Sequence, residues 1–188
     1  DGESVHALIE AEAVTMTAGV PTVWLMLLDY MSKNQKTFST LDRVVCGGSA
    51  MPRAMVEAFE ITHDVRAFHA WGMTEMSPLG TVGSLKAKHN ALSIQDRIDV
   101  KTKQGRGVFG VEMKIIDDDG QELPRDGEAF GNLMVRGPWI TSGYFRAEGG
   151  EILDAEGWFH TGDVATLDAE GYMQITDRSK DVIKSGGE

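Results

Sequence analysis

A chain of 188 residues with 41% hydrophobic residues is long enough to bury a sizeable core, and its composition is that of a globular protein. Its formal net charge of -11 argues against non-specific nucleic-acid binding, which needs Lys and Arg to neutralise phosphates, and against a basic membrane-surface patch. The single cysteine, Cys46, excludes an internal disulfide, and its place at the end of an apolar run predicts a small buried side chain.

The sequence carries no signal peptide, basic transit segment or long uninterrupted apolar span. We therefore expect a cytoplasmic enzyme without a transmembrane segment. The chain opens inside a predicted helix and stops at Gly186-Gly187-Glu188, directly after an apolar run typical of a strand. We expect it to be a middle portion of a longer protein.

The first 80 or so residues alternate helix and strand patterns. Amphipathic spacing, with proline at two of the helix starts, predicts three helices: 5–12, 21–31 and 52–59. Short apolar runs predict three buried strands: 14–17, 43–46 and 65–70. This alternation implies βαβ units and a mostly parallel sheet, which binds ligands beyond the carboxyl ends of its strands. Gly47-Gly48 and Trp71-Gly72 lie just past two predicted ends, so one pocket can receive both.

The pattern changes in the second half of the chain. Residues 81–105 are polar, with a helix predicted around 94–100. From Gly107 onward, glycine and aspartate turns separate four predicted strands: 111–116, 130–136, 163–167 and 172–176. Such strands predict an antiparallel sheet or distorted barrel, with the last two forming a hairpin. We therefore predict an α/β protein with a parallel βαβ portion at 1–105 and an antiparallel β subdomain at 106–177.

Polar signatures in a fixed order carry the functional information. They are HAWGMTE at 69–75, GWFHTGD at 157–163 and DRSKDVIK at 177–184. Each places a carboxylate or hydroxyl beside a glycine and an aromatic or aliphatic residue. That chemistry suits a nucleotide, which needs a flat apolar slot for its base, acceptors for its ribose hydroxyls and an acid for a magnesium ion. One short motif is weak evidence, but three in order are strong evidence.

These signatures resemble the adenylate-forming acyl-CoA synthetases, a superfamily that includes luciferases and peptide-synthetase adenylation domains. Within it, the run 47–55 and the run HAWGMTEMSPLGT are most similar to medium- to long-chain fatty-acyl-CoA ligases and to bacterial methylmercaptopropionate ligases. The resemblance extends from about Ser4 to Glu188. It implies that residues 1–105 are part of the large AMP-binding domain and that 178–188 form a hinge and the start of a truncated C-terminal domain.

The resemblance implies an AMP-forming acid-CoA ligase. Such an enzyme activates a carboxylic or fatty acid with ATP to an acyl-adenylate and transfers the acyl group to CoA, releasing AMP and pyrophosphate. The implied ligands are ATP or AMP, Mg²⁺, CoA and a small carboxylic acid, and ligases of this kind are often homodimers. The sequence leaves open the acyl chain length and the oligomeric state. It also leaves three alternatives: an adenylation domain that loads a carrier protein, a luciferase-like oxidase and a non-catalytic nucleotide-binding module.

The resemblance also assigns a nucleotide site. Its residues are Gly47, Gly48, Ser49, Ala70, Trp71, Gly72, Met73, Thr74, Asp163, Ile175 and Arg178. The glycines lie against adenine, with Trp71 on its other side where the family commonly has tyrosine. Glycine admits close approach of a flat ligand because it has no Cβ, although a double glycine alone equally favours a tight strand-to-helix turn.

Acidic and hydroxyl side chains receive the polar roles. The matching family residues place Thr74 at the phosphate, Glu75 at magnesium and Asp163 at the ribose hydroxyls, while Arg178 reaches ribose and phosphates. A carboxylate has two acceptor oxygens, so it can take both ribose hydroxyls at once. The structural alternatives are a helix cap for Thr74 and Glu75 and a turn for Asp163.

Three further residues have weaker assignments. Lys180 matches the hinge about which the small domain rotates, and Lys184 matches a lysine that acts in the second half-reaction, so that Thr74, Glu75 and Lys184 form the predicted catalytic set. Both lysines also fit an exposed charged strand. His69 is expected to line the acyl pocket, although a histidine at a strand end is more often simply hydrogen-bonded.

Two cationic elements of the family are not found in this sequence. It contains no Ser/Thr/Gly-rich phosphate loop with a lysine, nor the adenylation lysine of the small C-terminal domain. Phosphate charge that develops in the transition state needs such cations. We therefore expect this chain alone to bind nucleotide weakly and to catalyse no measurable turnover.

Overall fold

The computed structural model describes residues 1–147 and 150–178, with the backbone alone at 147, 177 and 178. The chain divides into two compact units. The first unit contains Asp1–Trp71 and Val82–Gln104, and the second contains Gly72–Thr81 together with the described residues from Gly105 onward. The chain therefore enters the second unit at Gly72, returns to the first unit at Val82, and enters the second unit again at Gly105.

The first unit consists of helices around a parallel sheet. Its helices are α1 (Gly2–Ala11), α2 (Pro21–Lys33), α3 (Arg53–Glu57) and α4 (Ile94–Thr102), with a π-helix at Ala58–Thr62 and a 3₁₀ turn at Ala87–Ala91. Its strands are β1 (Met16–Gly19), β2 (Arg43–Cys46) and β3 (Arg66–Gly72). Strand β2 pairs in parallel with both β1 and β3, which confirms the predicted α/β fold of this half.

Helix α2 shows how the sequence encodes these elements. Pro21 occupies the first turn, where its missing N–H costs no hydrogen bond. Trp24, Leu27 and Met31 follow at spacings of three and four residues, so all three side chains share one face and are buried. The Trp24 ring meets the Phe59 ring edge-on, with 5.9 Å between their centroids. This face of α2 therefore forms part of the core of the unit.

Cys46 ends β2 inside that core. Its side chain is fully buried, which confirms the prediction of a small buried residue. Burial raises the pKa of the thiol to about 11, because the thiolate would lose its hydration. Cys46 is therefore a packing residue rather than a nucleophile.

The second unit is an antiparallel sheet. Its strands are β5 (Gly105–Gly107), β6 (Glu112–Ile116), β7 (Phe130–Arg136), β8 (Phe159–Leu167) and β9 (Tyr172–Arg178), and β4 (Leu79–Val82) begins in this unit and ends in the first. Strand β9 lies between β5 and β8, and β7 lies between β8 and β6, all in antiparallel pairs. The predicted antiparallel sheet is confirmed.

Several details differ from the sequence prediction. Strands β4 and β5 were not predicted, since LGTV and GRG have too few side chains to show an alternating pattern. Strand β1 begins two residues later than predicted, and its residues are exposed or half-buried rather than buried. Strand β8 begins at Phe159, so most of the GWFHTGD string is extended strand. Register shifts against β7 and β9 accompany the positive φ of Gly162 in this strand.

In the described part of the chain, no helix combines the length and apolar character that crossing a membrane requires.

Candidate functional site

The double glycine follows β2 in the first unit. Gly47 donates a backbone hydrogen bond to Gly19 at 3.1 Å, and Gly48 has a positive φ of 82°. A Cβ added to Gly47 would lie 3.3 Å from the carbonyl oxygen of Ala70, and one on Gly48 would lie 3.2 Å from the side chain of Val20. The structure thus places Gly47 against Ala70, and both glycines permit a backbone path that a side chain would disturb.

His69 lies beneath this loop and is 1% exposed. Its Nε2 is 3.3 Å from the backbone nitrogen of Met51, and its Nδ1 is 3.2 Å from the carbonyl oxygen of Thr102. A backbone N–H can only donate, so Nε2 accepts and the proton resides on Nδ1, which donates to Thr102. Burial lowers the pKa of the imidazole. His69 is therefore a neutral residue that ties the end of the glycine loop to the end of α4.

Trp71 is the last residue of this stretch of the first unit. Its side chain is buried, with 9% of its surface exposed. Trp71 and Gly72 were expected just past the end of the predicted strand 65–70, but both are part of β3 itself.

The second unit carries the rest of the HAWGMTE signature in a tight turn. A Cβ on Gly72 would lie 1.7 Å from the carbonyl oxygen of Pro78, so only glycine fits where the chain turns back. Thr74–Met76 form a single 3₁₀ turn with Met73 at its N-cap and no side-chain capping bond. Thr74 and Glu75 therefore do not form the side-chain helix cap that was the structural alternative.

Glu75 is half-buried, and a loop of the second unit holds it at two points. The phenol oxygen of Tyr144 donates to Glu75 Oε1 at 2.8 Å. The backbone nitrogen of Thr141 donates to the Glu75 carbonyl oxygen at 2.8 Å. Sequence reasoning missed Tyr144, because its partner lies 69 residues away and no local pattern connects the two.

Strands β8 and β9 bring together three more predicted residues. Asp163 lies in β8 and is 5% exposed. Its backbone nitrogen donates to Thr161 Oγ1 at 3.1 Å, and that hydroxyl donates to the carbonyl of Leu133 at 2.9 Å. In the strand register Asp163 lies opposite Arg178, while Ile175 lies opposite Ala165.

The remaining candidates concern the hinge and the metal. Lys180 and Lys184 lie outside the described residues. Residues 1–147 and 150–178 contain no group of three or more His, Cys, Asp or Glu side chains that could hold a metal ion. Magnesium is often held by one or two carboxylates plus phosphate oxygens of the substrate. Glu75 is suitable as such a single carboxylate.

The second unit also has an open cavity of about 580 Å³. Its charged lining is mixed and consists of Arg106, Lys114, Arg125, Glu112, Glu122 and Glu170. The residues assigned to the nucleotide from sequence are not among those that line it. Since its acids and bases balance, the cavity has no charge preference for a phosphate.

The family model described as AMP-binding enzyme matches residues 1–145. The chain is 51% identical over 187 residues to 3-methylmercaptopropionyl-CoA ligase of Ruegeria lacuscaerulensis, covering 100% of the chain and 34% of the relative. It is 48% identical to medium-chain-fatty-acid–CoA ligase of Ectopseudomonas oleovorans, covering 100% of the chain and 34% of the relative. The chain thus spans about a third of the length of these relatives.

A solved structure gives the same picture of the fold. O-succinylbenzoate CoA synthetase of Bacillus subtilis, in complex with ATP and magnesium ion, matches with a TM-score of 0.78 and 27% identity. The match covers 100% of this chain and 36% of the synthetase.

Proposed function

The chain belongs to the AMP-binding enzyme family, and from this premise we propose that its full-length protein is an AMP-forming acid-CoA ligase. The observation that carries the proposal is the likeness, along the entire chain, to relatives that are named as CoA ligases. Family membership alone would leave the acceptor open, because one fold serves several chemistries.

The proposed reaction has two steps. A carboxylate oxygen of the acid attacks the α-phosphorus of ATP, the bond to the bridging oxygen breaks, and pyrophosphate leaves. The thiolate of CoA then attacks the acyl carbonyl carbon, the bond from that carbon to the oxygen that bridges it to phosphorus breaks, and AMP leaves with this oxygen. Neither step needs a covalent enzyme intermediate, which agrees with the buried, unreactive thiol of Cys46.

In the first unit the proposed task is to hold the base. Gly47, Gly48 and Ser49 follow a parallel strand at its carboxyl end, the edge at which such sheets bind ligands. Backbone without a Cβ lets the flat adenine approach, and the indole of Trp71 gives it an apolar surface. His69 fixes the end of the glycine loop, and we place it as a neutral wall of the acyl pocket rather than as a base.

In the second unit the proposed task is to hold the sugar and phosphates. Asp163 accepts the ribose hydroxyls, and Ile175 and Arg178 flank it from the neighbouring strand. Thr74 and Glu75 are neighbours in one 3₁₀ turn. In this proposal Thr74 would face the phosphate and Glu75 would hold the magnesium ion. When bound there, Mg²⁺ would screen the phosphate charge that otherwise repels the attacking carboxylate. Lys180 serves as the hinge, and Lys184 serves the second half-reaction.

The proposed acid is linear and small to medium in length. One relative is named for 3-methylmercaptopropionate and another for medium-chain fatty acids, and both are equally covered by this chain. The chain alone is proposed to lack turnover, since its sequence has neither the phosphate-loop lysine nor the adenylation lysine.

The test is AMP release by the full-length protein with Mg-ATP, CoA and a panel of acids from acetate through thioether and medium-chain acids to palmitate. We expect a maximum on one class of acid and no sustained AMP release when CoA is omitted. Background release across the panel, with ATP binding intact, would overturn the ligase in favour of a carrier-protein acceptor or a binding module.

A matched pair of variants locates the site in the same assay. Asp163→Asn removes one negative charge from the proposed ribose acceptor, and we expect the KM for ATP to rise by about 10- to 100-fold, the size of a lost charged hydrogen bond. Asp29→Asn makes the same change on the exposed face of α2, where the Asp29 carboxylate pairs with Lys33. An equal effect of both variants would remove Asp163 from the site.

A further inference from the structure

We propose that Tyr144 is a positioning residue that orients the Glu75 carboxylate for the magnesium ion of Mg-ATP. This inference rests on the proposed function, because it takes Glu75 as the metal ligand. It adds a residue and a loop, 139–144, that the sequence signatures do not contain.

The contact itself sets the direction of the carboxylate. Tyr144 donates its phenol proton to Glu75 Oε1, with 2.8 Å between the oxygens. A carboxylate is an acceptor with two oxygens, so this bond engages one and leaves the other for a cation. Within the described part of the chain, Oε2 of Glu75 accepts no hydrogen bond. The phenol therefore selects which oxygen faces the ligand.

The backbone around Glu75 is held by the same loop. Besides the bond from Thr141 to the Glu75 carbonyl, Ser77 Oγ donates to the Trp139 carbonyl at 3.3 Å. Trp139 Nε1 in turn donates to the Leu79 carbonyl at 3.3 Å. These bonds hold the backbone at Glu75 and at the residues that follow it against the loop 139–144. What remains free is the rotamer of the Glu75 side chain, and Tyr144 restricts it.

The chemistry favours a positioning role over the other roles open to Tyr144. A neutral phenol that donates its proton has little to offer a hard cation, whereas a carboxylate is a preferred magnesium ligand. A contribution to folding alone is also a poor explanation, since Tyr144 is 44% exposed and surface hydrogen bonds add little to stability. The main consequence of the bond is that it fixes the orientation of the Glu75 carboxylate. Because this side chain is already ordered before Mg²⁺ binds, less conformational entropy is lost on binding.

The test uses the full-length protein and the variant Tyr144→Phe, which removes one oxygen and keeps the ring. Calorimetry would measure ATP affinity over a series of Mg²⁺ concentrations, and AMP affinity without metal. We expect the Mg²⁺ concentration for half-maximal ATP binding to rise about two- to tenfold, the size of one hydrogen bond. AMP affinity without metal is expected to stay unchanged.

Two further variants make the result specific. Tyr30→Phe makes the identical change on α2 in the other unit and is expected to leave the Mg²⁺ requirement unchanged. Glu75→Gln is expected to raise the requirement more than Tyr144→Phe does. In the Glu75→Gln background, Tyr144→Phe should then add nothing, because a residue that acts only through Glu75 loses its effect with it.

The outcomes separate this inference from the proposed function. A normal Mg²⁺ requirement in Tyr144→Phe overturns the positioning role while leaving the ligase intact. The positioning role is also overturned if the effects of Tyr144→Phe and Glu75→Gln are additive, or if Tyr144→Phe weakens AMP binding without metal as much as it weakens Mg-ATP binding. Either result would show a general role in the structure of the loop. Failure of the unmodified protein to bind Mg-ATP at all overturns both proposals.

Discussion

One ion pair in each unit shows two ways of holding polar groups, one buried and one exposed. In the first unit the Lys101–Glu60 ion pair has side chains only 7% and 14% exposed. In the second unit the Arg136–Glu112 pair has side chains 41% and 60% exposed. Two residues that support candidate-site groups differ in the same way: His69, which binds backbone in the first unit, is buried, and Tyr144, which binds the Glu75 carboxylate in the second unit, is 44% exposed. Damage to the first support should cost stability as well as affinity, and damage to the second should cost affinity alone.

The buried ion pair lies directly beside the strand that carries His69. Lys101 binds the Glu60 carboxylate and also donates to the carbonyl of Ala67 at 3.2 Å. Glu60 accepts from the Ala67 backbone nitrogen at 2.6 Å. The pair thus joins the π-helix and α4 to β3. Both charges have hydrogen-bond partners, which is the condition under which a buried pair is tolerated.

The largest expected effect comes from breaking this pair on one side. Lys101→Met leaves the Glu60 carboxylate buried without its cation, which typically costs about 3–5 kcal/mol. Urea unfolding of the full-length protein measures this loss in the free energy of unfolding, and hydrogen exchange at the β3 amides shows whether the loss affects that strand. Lys101→Met combined with Glu60→Gln should recover part of the loss, because no uncompensated charge remains. A single variant as stable as the unmodified protein would contradict the burial of the pair.

The next largest loss of stability is expected from His69→Phe. Phenylalanine keeps a flat ring but leaves the buried Met51 N–H without an acceptor and Thr102 without a donor, at a cost of about 1–3 kcal/mol. Because the glycine loop loses its anchor, AMP affinity should fall as well. Melting temperature and AMP titration of the full-length protein measure the two effects.

His63→Phe is the matched control for that variant. His63 is also in the first unit, but its Nδ1 is buried without a hydrogen-bond partner among the residues that the structure describes. Removing an unsatisfied nitrogen should cost nothing and leave AMP affinity unchanged. If His63→Phe and His69→Phe lost stability to the same degree, the backbone bonds of His69 would not be the reason.

A smaller effect is the pH dependence that the two histidines give the first unit. Burial lowers the pKa of both His63 and His69, so the unfolded chain binds protons at a higher pH than the folded chain does. Their contribution is therefore fully present above the unfolded pKa of about 6.5 and is lost as the pH falls below it.

Melting curves between pH 7.5 and 5.5 give the test. We expect the melting temperature to fall with pH in the unmodified protein and to fall less in His63→Phe, which removes one of the two groups. Acidic residues whose pKa is lowered, such as Glu10 and Asp126, lose their contribution only at lower pH, since their ordinary values lie near 4. If the melting temperature of His63→Phe depended on pH as steeply as that of the unmodified protein, groups other than His63 would cause the pH dependence.

Elements that depend on a local pattern could be predicted from the sequence, whereas elements that depend on distant partners could not. Helix α2 was predicted because Pro21, Trp24 and Met31 form a pattern within one segment. Strands β4 and β5 were missed because pairing with distant segments, not their own side chains, makes them strands. The partners of His69 lie 18 and 33 residues away.

The chemical signatures are a separate case. HAWGMTE and GWFHTGD marked Glu75 and Asp163 because their residue types alone suit a nucleotide. A residue that supports a ligand contact, such as Tyr144 beside Glu75, does not belong to a recognisable signature. Tyr144 lies outside all three signatures, and no pattern in its neighbouring sequence connects it to Glu75. Residue types can therefore point to ligand contacts, while the supports become visible only in the folded chain.

The smallest expected effect completes the comparison of the two ion pairs. Glu112→Gln in the second unit removes one partner of Arg136, as the variant at Lys101 does for Glu60 in the first unit. Arg136 stays in water and above the ring of Trp158, with 4.6 Å to the ring centroid, so no charge is left buried. Exposed pairs of this kind contribute little, and the melting temperature should stay within experimental error. A loss as large as that of Lys101→Met would show that the polar contacts of the second unit are structural, and the expectation that damage there costs affinity alone would fail.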